Sequence, residues 1–319
     1  MRLVVVTALA ALLLPSTALA AGPSYVAQGG LGVLSYDGRY RFVAVSTGAS
    51  TAIERVAVHG GAVSGWATLD GEWGIPQPAS AAHLEGLTRD GSALIVGTLG
   101  TGRPTRFAVI GTRDLRIRDR VELPGSFAYD ALSPDGKTLY LTQYVNVDNA
   151  SRYVVRAYDL EHGRLLPGRI ADKAQASWVM EGFATTRTTS ADGRWVYTLF
   201  MRPGGYPFVH ALDTVRGVAH CIGLPWTASD QGPLMRMRMA LTDDEGKLAL
   251  NWKGGERWLA IDTSTWRITR PTSHGFPRMW VAVAAALLVL LAMALIVKLS
   301  SLTVRSRRGS AAPPTAAMD

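Results

Sequence analysis

The sequence Ala131-Leu132-Ser133-Pro134-Asp135-Gly136-Lys137-Thr138-Leu139-Tyr140-Leu141 places a polar turn between two apolar segments. The Asp-Gly pair supplies the positive φ angle that a tight hairpin turn needs, at little steric cost. The residues that follow, 138–144, are rich in β-branched and aromatic side chains, as strands are. This stretch therefore predicts two antiparallel strands joined by a tight turn.

The same pattern occurs five times along the chain. The acidic residues of the turns are Asp37, Asp90, Asp135, Asp192 and Asp244, at intervals of 53, 45, 57 and 52 residues. The fifth turn is interpreted as carrying one inserted residue. The predicted strands after the turns are 40–45, 93–99, 138–144, 195–200 and 248–252. A second apolar segment that ends in a turn follows each of them, so every unit of roughly 50 residues offers four strands.

Helical periodicity is missing from residues 25–275, where no amphipathic pattern of three turns is found. Repeated units of four antiparallel strands are typical of a β-propeller, in which closure of a ring removes exposed sheet edges. The sequence thus predicts an all-β fold, a β-propeller of about five four-stranded blades. A two-sheet sandwich is the alternative architecture.

Residues 131–141 resemble the propeller motif of YVTN-type and WD-repeat-like bacterial proteins. Residues 192–197 are a second good copy, and Ile261-Asp262-Thr263 resembles the strand end that closes the same repeat. The resemblance covers most of residues 21–270 and is strongest in the last three units. It implies a fold rather than an activity, because propellers include enzymes, receptors and scaffolds.

Both ends of the chain carry targeting signals. Residues 1–20 read as a secretory signal peptide, since a basic start and a 12-residue apolar run precede a small-residue cleavage site. Residues 279–297 form an uncharged run of 19 residues, long enough for one C-terminal transmembrane helix. The basic flank at 298–319 is expected to be a disordered cytoplasmic tail. The alternatives are an uncleaved N-terminal anchor and a buried C-terminal helix.

These signals predict an extracytoplasmic domain at 21–270, a juxtamembrane linker at 271–278 and a single-pass protein of the cell membrane. The lipid bilayer is then a partner through residues 279–297. The 28 basic and 24 acidic residues between positions 21 and 278 give a net charge of +4, which is too small to indicate nucleic-acid binding. The one cysteine, Cys221, excludes an intrachain disulfide.

The loops between the second and third strands, and the links between blades, are predicted to form a ligand-binding face. Aromatic side chains offer contact area at low entropic cost. Alternatively, the same rings pack between blades. The candidate ligand-binding residues are Trp73, Tyr144, Trp178, Arg202, Tyr206, Trp226 and Trp252.

Charged residues also occupy equivalent places on the predicted first strands. Glu85, Asp130 and Arg187 each lie five residues before an acidic turn residue, and buried charges are costly unless they are paired. We expect Asp130 and Arg187 to form an ion pair near the central channel. A functional channel site is the alternative. The alternating segment 235–239 is read as part of a strand.

No catalytic motif is recognised in the sequence. The six histidines are dispersed without metal-ligand spacing, and neither a nucleophile elbow nor a phosphate loop is present. No catalytic residue, metal site or cofactor is therefore predicted. The favoured hypothesis is a module that binds or senses an extracytoplasmic protein or small molecule. The alternatives are a hydrolase or lactonase-like enzyme that uses channel carboxylates, and a structural envelope scaffold.

Overall fold

The computed structural model describes residues 26–80, 83–98, 104–146, 149–175, 179–270 and 293. These residues are nearly all β, with two short 3₁₀ helices at Lys173–Gln175 and Gly232–Arg236. The predicted segments 1–20, 271–278 and 298–319, and residues 279–297 apart from Met293, lie outside them. Among the described residues, none of the helices has the length and apolar character needed to cross a membrane.

The strands form five antiparallel sheets that follow one another along the chain. Strand β1 (Val26–Ala27) joins the second sheet rather than the first. The first sheet contains β2 (Val33–Leu34), β3 (Tyr40–Ser46), β4 (Ser50–Ala57) and β5 (Val63–Asp70). The second adds to β1 the strands β6 (Trp73–Pro76), β7 (Ala93–Thr98), β8 (Thr105–Gly111) and β9 (Ile117–Leu123).

The third sheet is β10 (Phe127–Leu132), β11 (Thr138–Asn146), β12 (Asn149–Asp159), β13 (Arg164–Leu165) and β14 (Met180–Glu181), which pairs with β12. The fourth is β15 (Phe183–Thr189), β16 (Trp195–Met201), β17 (Phe208–Asp213) and β18 (Val218–Gly223). The fifth is β19 (Arg238–Leu241), β20 (Lys247–Asn251), β21 (Arg257–Asp262) and β22 (Ile268–Thr269). The predicted strands after the acidic turns are therefore confirmed to within two residues.

Each sheet packs against the next one along the chain through a shared apolar core. One cluster joins sheets 1 and 2 and includes Phe42 of the first and Leu94 of the second. Another joins sheets 2 and 3. Two clusters join sheets 3 and 4, and one joins sheets 4 and 5. Among the described residues, no such cluster joins sheet 5 back to sheet 1. The arrangement is propeller-like, with its first and last sheets each covered by a core on one face.

The five acidic turns share one hydrogen-bonded geometry. A Ser or Thr two residues before each Asp donates its hydroxyl to the carboxylate, over 2.5–2.7 Å. The same carboxylate accepts the backbone N–H two residues further on. The hydroxyl oxygen accepts the N–H that begins the next strand. These bonds favour the charged carboxylate, so the pKa of all five aspartates is lowered.

The fifth turn corrects one detail of the sequence interpretation. The spacing from Thr242 to Asp244 and to the N–H of Lys247 equals the spacing in the other four turns, so no residue is inserted. Instead, Glu245 takes the left-handed position, with φ 53°, that Gly136 holds with φ 72° in the third turn. Its carboxylate accepts the backbone N–H of Ala191 in the fourth turn, which ties the two turns together.

The turns of consecutive sheets lie side by side at one end of the fold, here called the turn end. Arg89 of the second turn lies over the ring of Tyr36 of the first, 5.2 Å from its centroid. Because each turn joins the first and second strands of a sheet, the hairpins between second and third strands lie at the opposite end. That opposite end, here called the loop end, also carries the links from one sheet to the next.

Candidate functional site

A cavity of about 1000 Å³ opens at the turn end between the first four sheets. Its rim includes Leu31, Leu34 and Tyr36, which are 74%, 44% and 59% exposed. The guanidinium groups of Arg41 and Arg89 belong to the same rim. Apolar side chains left in water next to two cations are a surface suited to a ligand that has both apolar and anionic groups.

The floor of the cavity is built by an insertion in the second sheet. Residues 77–86, here called the channel segment, separate β6 from Leu87, which makes an isolated bridge to Leu94 of β7. Gln77 lines the large cavity and also a small one of about 40 Å³ on the loop-end side. The described part of the segment, together with Tyr129, therefore lies between the two cavities.

Two contacts near its middle tie the channel segment to the inner strand of sheet 4. Ser80 donates its backbone N–H to the carbonyl of Ala184 at 3.3 Å and its hydroxyl to the carbonyl of Thr185 at 3.1 Å. Near its end, Gly86 adopts φ 107°, and a Cβ there would lie 2.6 Å from the carbonyl oxygen of Ile95. A glycine is required at this position because the segment turns back against β7.

The charges predicted to line the channel are brought together in one buried cluster. Arg187 Nη1 lies 3.5 Å from Asp130 Oδ1, which confirms the predicted ion pair. Arg187 Nε lies 3.1 Å from Glu85 Oε1, a contact that the sequence did not reveal. The Arg187 side chain is 2% exposed, and none of its three nitrogens makes a well-directed hydrogen bond. The cluster is therefore held by charge attraction around a guanidinium that is removed from solvent.

Burial controls the protonation of the groups around this cluster. It raises the pKa of Glu85, against the attraction of Arg187, and the charge of Asp130 adds to the rise. Burial also raises the pKa of Tyr129, whose ring lies between the two cavities. The pKa of buried His210 is lowered, mainly by desolvation, so the neutral imidazole is favoured.

The aromatic residues predicted for the ligand-binding face are spread over several places. Trp73 is 2% exposed in β6, where its indole N–H donates to the carbonyl of Asp70, so its predicted place on an open loop is corrected. Only two residues separate β5 from β6, and the ring packs in the core between sheets 1 and 2. Tyr144 lines the small cavity, and Trp178 lies outside the described residues.

The remaining candidates lie at the loop end of sheets 4 and 5. Tyr206 is 69% exposed, and Arg202 lies 3.7 Å from Glu181. Trp226 and Trp252 are half-buried and meet Trp258, with ring centroids 5.4–6.2 Å apart. These indoles contact one another and the core between sheets 4 and 5, as the alternative interpretation of packing between blades expected.

Sequence reasoning missed the residues that shape the large cavity. Tyr36, Arg89 and Pro134 lie inside or beside the acidic turns, and they were treated only as parts of the repeat. The uneven spacing of the acidic turns, 53 residues from Asp37 to Asp90 but only 45 from Asp90 to Asp135, is the signal that could have revealed the channel segment. The segment 235–239 also differs from prediction, because its first two residues end the 3₁₀ helix Gly232–Arg236, which has Pro233 in its first turn, and β19 starts only at Arg238.

Nucleophile and metal chemistry find little support in the geometry. The Cys221 thiol lies 3.6 Å from His210 Nδ1, but burial raises the pKa of the thiol to about 12, so it stays protonated. Within the described residues, no three His, Cys, Asp or Glu side chains are grouped closely enough to hold a metal ion.

Comparison with known proteins finds no matching family model and no matching curated protein. Solved structures do align with the chain. Hydrazine synthase of Kuenenia stuttgartiensis aligns at TM-score 0.45 and 16% identity, over 72% of this chain and 63% of that chain. TolB of Acinetobacter baumannii aligns at TM-score 0.39 and 16% identity, over 73% and 53%. A functionally unknown protein of Desulfotomaculum acetoxidans aligns at TM-score 0.45 and 11% identity, over 75% and 68%. The chain thus spans less than two thirds of the length of the first two of these proteins.

Proposed function

We propose that this protein is a binding module whose ligand enters the central cavity from the turn end. The observation that carries the proposal is the cavity itself, about 1000 Å³ with an apolar rim, two arginines and a floor that includes Gln77 and Glu85. Large concave sites with a few convergent polar groups are where proteins bind their ligands. The favoured ligand is a segment of another protein that presents apolar and acidic side chains.

The arrangement of the channel acids supports binding over hydrolysis. A general base needs a carboxylate that can approach a substrate proton. Glu85 and Asp130 are instead both directed at Arg187, which holds them as a cluster. Their role in the proposal is to fix the floor of the cavity.

The proposal also includes the architecture and the membrane location that the sequence predicts. The five sheets are blades of a propeller, and residues 279–297 tether this domain to the outer side of a cell membrane. A chain with a C-terminal tag tests the tether. It should stay with membranes after a high-salt wash, and external protease should remove the domain while the tag remains protected. Release by salt, or loss of the tag, would refute the tether.

A displayed library of random peptides tests the binding site on the full chain. Selected peptides should be enriched in apolar and acidic residues, and their affinity should fall at least about tenfold with Arg89→Ala or Leu34→Ser, as for central contacts of an interface. Arg118→Ala is the matched control, because this exposed arginine pairs with Asp114 away from the cavity. Peptides whose binding is unchanged by both cavity variants would refute the site.

A further inference from the structure

A cavity of about 440 Å³ lies at the loop end, beside the link from sheet 2 to sheet 3. It is here called the link cavity. Residues 124–126 of the link form one wall, and side chains of β11 and β12, together with Arg169, form the rest. None of these lining residues also lines the large cavity of the turn end, so the link cavity is a separate candidate site.

Two arginines line the link cavity. Arg156 of β12 is half-buried, and it donates from Nη1 to Gln143 Oε1 at 2.9 Å and from Nη2 to the carbonyl of Leu166 at 3.0 Å. Its Nε is buried without a hydrogen bond. Arg169, in the chain segment that follows β13, is exposed. Both acceptors of Arg156 are neutral, so the charge of its guanidinium is not cancelled.

The positive charge of this pair has no counterion in the described part of the chain. Neither arginine forms an ion pair there, in contrast to Arg187, Arg194 and Arg202. Burial lowers the pKa of Arg156, and the like charge of Arg169 lowers it further. An anion bound between the two guanidinium groups would remove this repulsion, because it supplies the opposite charge that the fold leaves out.

A buried hydroxyl adds a further donor. Ser126 lines the link cavity and is only 4% exposed, yet its hydroxyl forms no hydrogen bond within the described residues. Buried polar side chains nearly always have a hydrogen-bond partner, so a partner from outside the chain is expected here. The Gln143 amide uses its oxygen for Arg156, which leaves its N–H groups for the same purpose. Among the residues that the structure describes, the lining contains these donors and no carboxylate.

We propose that the link cavity binds a small phosphate monoester. The phosphate group carries a charge of about −1.5 to −2 at neutral pH and so balances two guanidinium groups, whereas a carboxylate balances one. The fork of an arginine matches the geometry of phosphate oxygens, and the hydroxyl and amide donors complete the hydrogen bonds. Tyr144 and Val145, the latter 51% exposed, provide apolar contact for the organic part of the ligand.

Isothermal titration calorimetry of the full chain in a non-ionic detergent tests the proposal, with glycerol 3-phosphate, inorganic phosphate and acetate as probes. We expect glycerol 3-phosphate to bind most tightly and acetate not to bind. The affinity for glycerol 3-phosphate should rise as the pH passes about 6, where a phosphate monoester loses its second proton. The described lining contains no histidine or carboxylate, so this pH dependence belongs to the ligand. Added salt should weaken the binding.

Arginine variants locate the site. Arg169→Gln should lower the affinity for glycerol 3-phosphate at least about tenfold, the loss expected for a charge-assisted hydrogen bond. Because Arg169 is exposed, this variant should fold, whereas Arg156→Gln also breaks two internal hydrogen bonds. Arg164→Gln is the matched control, since Arg164 is an exposed arginine of β13 in the same sheet and does not line the cavity.

The titrations can overturn the site and the ligand separately. An affinity that is unchanged by Arg169→Gln, or lowered equally by Arg164→Gln, overturns the site. Acetate or inorganic phosphate that binds as tightly as glycerol 3-phosphate overturns the choice of ligand. A wild-type chain that binds none of the three probes overturns both.

Discussion

Arg187 is the residue on which the centre of the fold depends most. Its guanidinium is buried between Glu85 of the channel segment and Asp130 of β10, with no directed hydrogen bond to either. Replacing the pair by apolar residues is often harmless in proteins, but removing one partner leaves an uncompensated buried charge. The structural role of Arg187 is therefore to neutralise two carboxylates that the fold has taken from water.

The variant Arg187→Gln should lower the free energy of unfolding by about 3–5 kcal/mol, because the cluster loses its cation and the carboxylates of Glu85 and Asp130 are left without a partner of opposite charge. Urea titration followed by circular dichroism measures this. Arg118→Gln is the control, since its pair with Asp114 is exposed and such pairs contribute at most about 1 kcal/mol. Equal losses in the two variants would show that the buried cluster has no special role.

The raised pKa of Glu85 predicts that the stability of the protein depends on pH. Its pKa is raised in the folded protein by burial, so folding favours the protonated acid and stability falls as pH rises from the unfolded to the folded pKa. Glu85→Gln should match the wild type at low pH and be the more stable protein above the folded pKa. Thermal unfolding of both proteins across this range checks the sign. A variant that is less stable only at high pH would show that the attraction of Arg187 outweighs desolvation.

At the scale of elements, the acidic turns show both what can be predicted from the sequence and which features cannot. Asp-Gly predicts the turn because glycine takes the left-handed φ of this position, as Gly136 does, at little steric cost. The preceding Ser133, which bonds both to the Asp135 carboxylate and to the N–H of Thr138, is an equal part of the motif that glycine reasoning did not find. Pattern reasoning places strands well because they are runs of β-branched and aromatic residues bounded by turns, and most residues of β7, β10 and β16 are buried.

The turn carboxylates should make the protein acid-sensitive. The hydroxyl of Ser133 and the N–H of Lys137 lower the pKa of Asp135, so its contribution exists above the unfolded pKa and is lost as pH falls through the folded value. Asp135→Ala should cost about 1–2 kcal/mol at neutral pH and less in acid. Chemical unfolding at two pH values measures the difference. Asp230→Ala, outside the turn motif, serves as control, and a cost that does not depend on pH would contradict the assignment.

The whole molecule differs from the predicted ring in one respect. Core clusters cover both faces of sheets 2, 3 and 4, but only one face of sheets 1 and 5 within the described residues. Repeat number and order follow from the spacing of the turns, which is local information. Closure depends on contacts between residues about 200 positions apart, and no local pattern carries these. For the same reason, the pairing of Glu85 with Arg187 could not be seen in the sequence.

Hydrogen exchange should report this difference in coverage. Amides of β11 and β16, in sheets with cores on both faces, should be protected longer than those of β3 and β20, because opening a terminal sheet breaks one interface instead of two. Mass spectrometry of peptides from the exchanged full chain resolves these strands. Protection of β3 and β20 equal to that of the central sheets would show that the first and last sheets cover each other in solution.

The described part of the channel segment lies between the large cavity of the turn end and the small cavity of the loop end. Ser80 and Glu85 hold it in this position. A ligand that fills the large cavity therefore meets this segment before it reaches the loop end. A chain terminus, a protruding hairpin or a compact molecule suits such a site better than a polymer that has to pass through it.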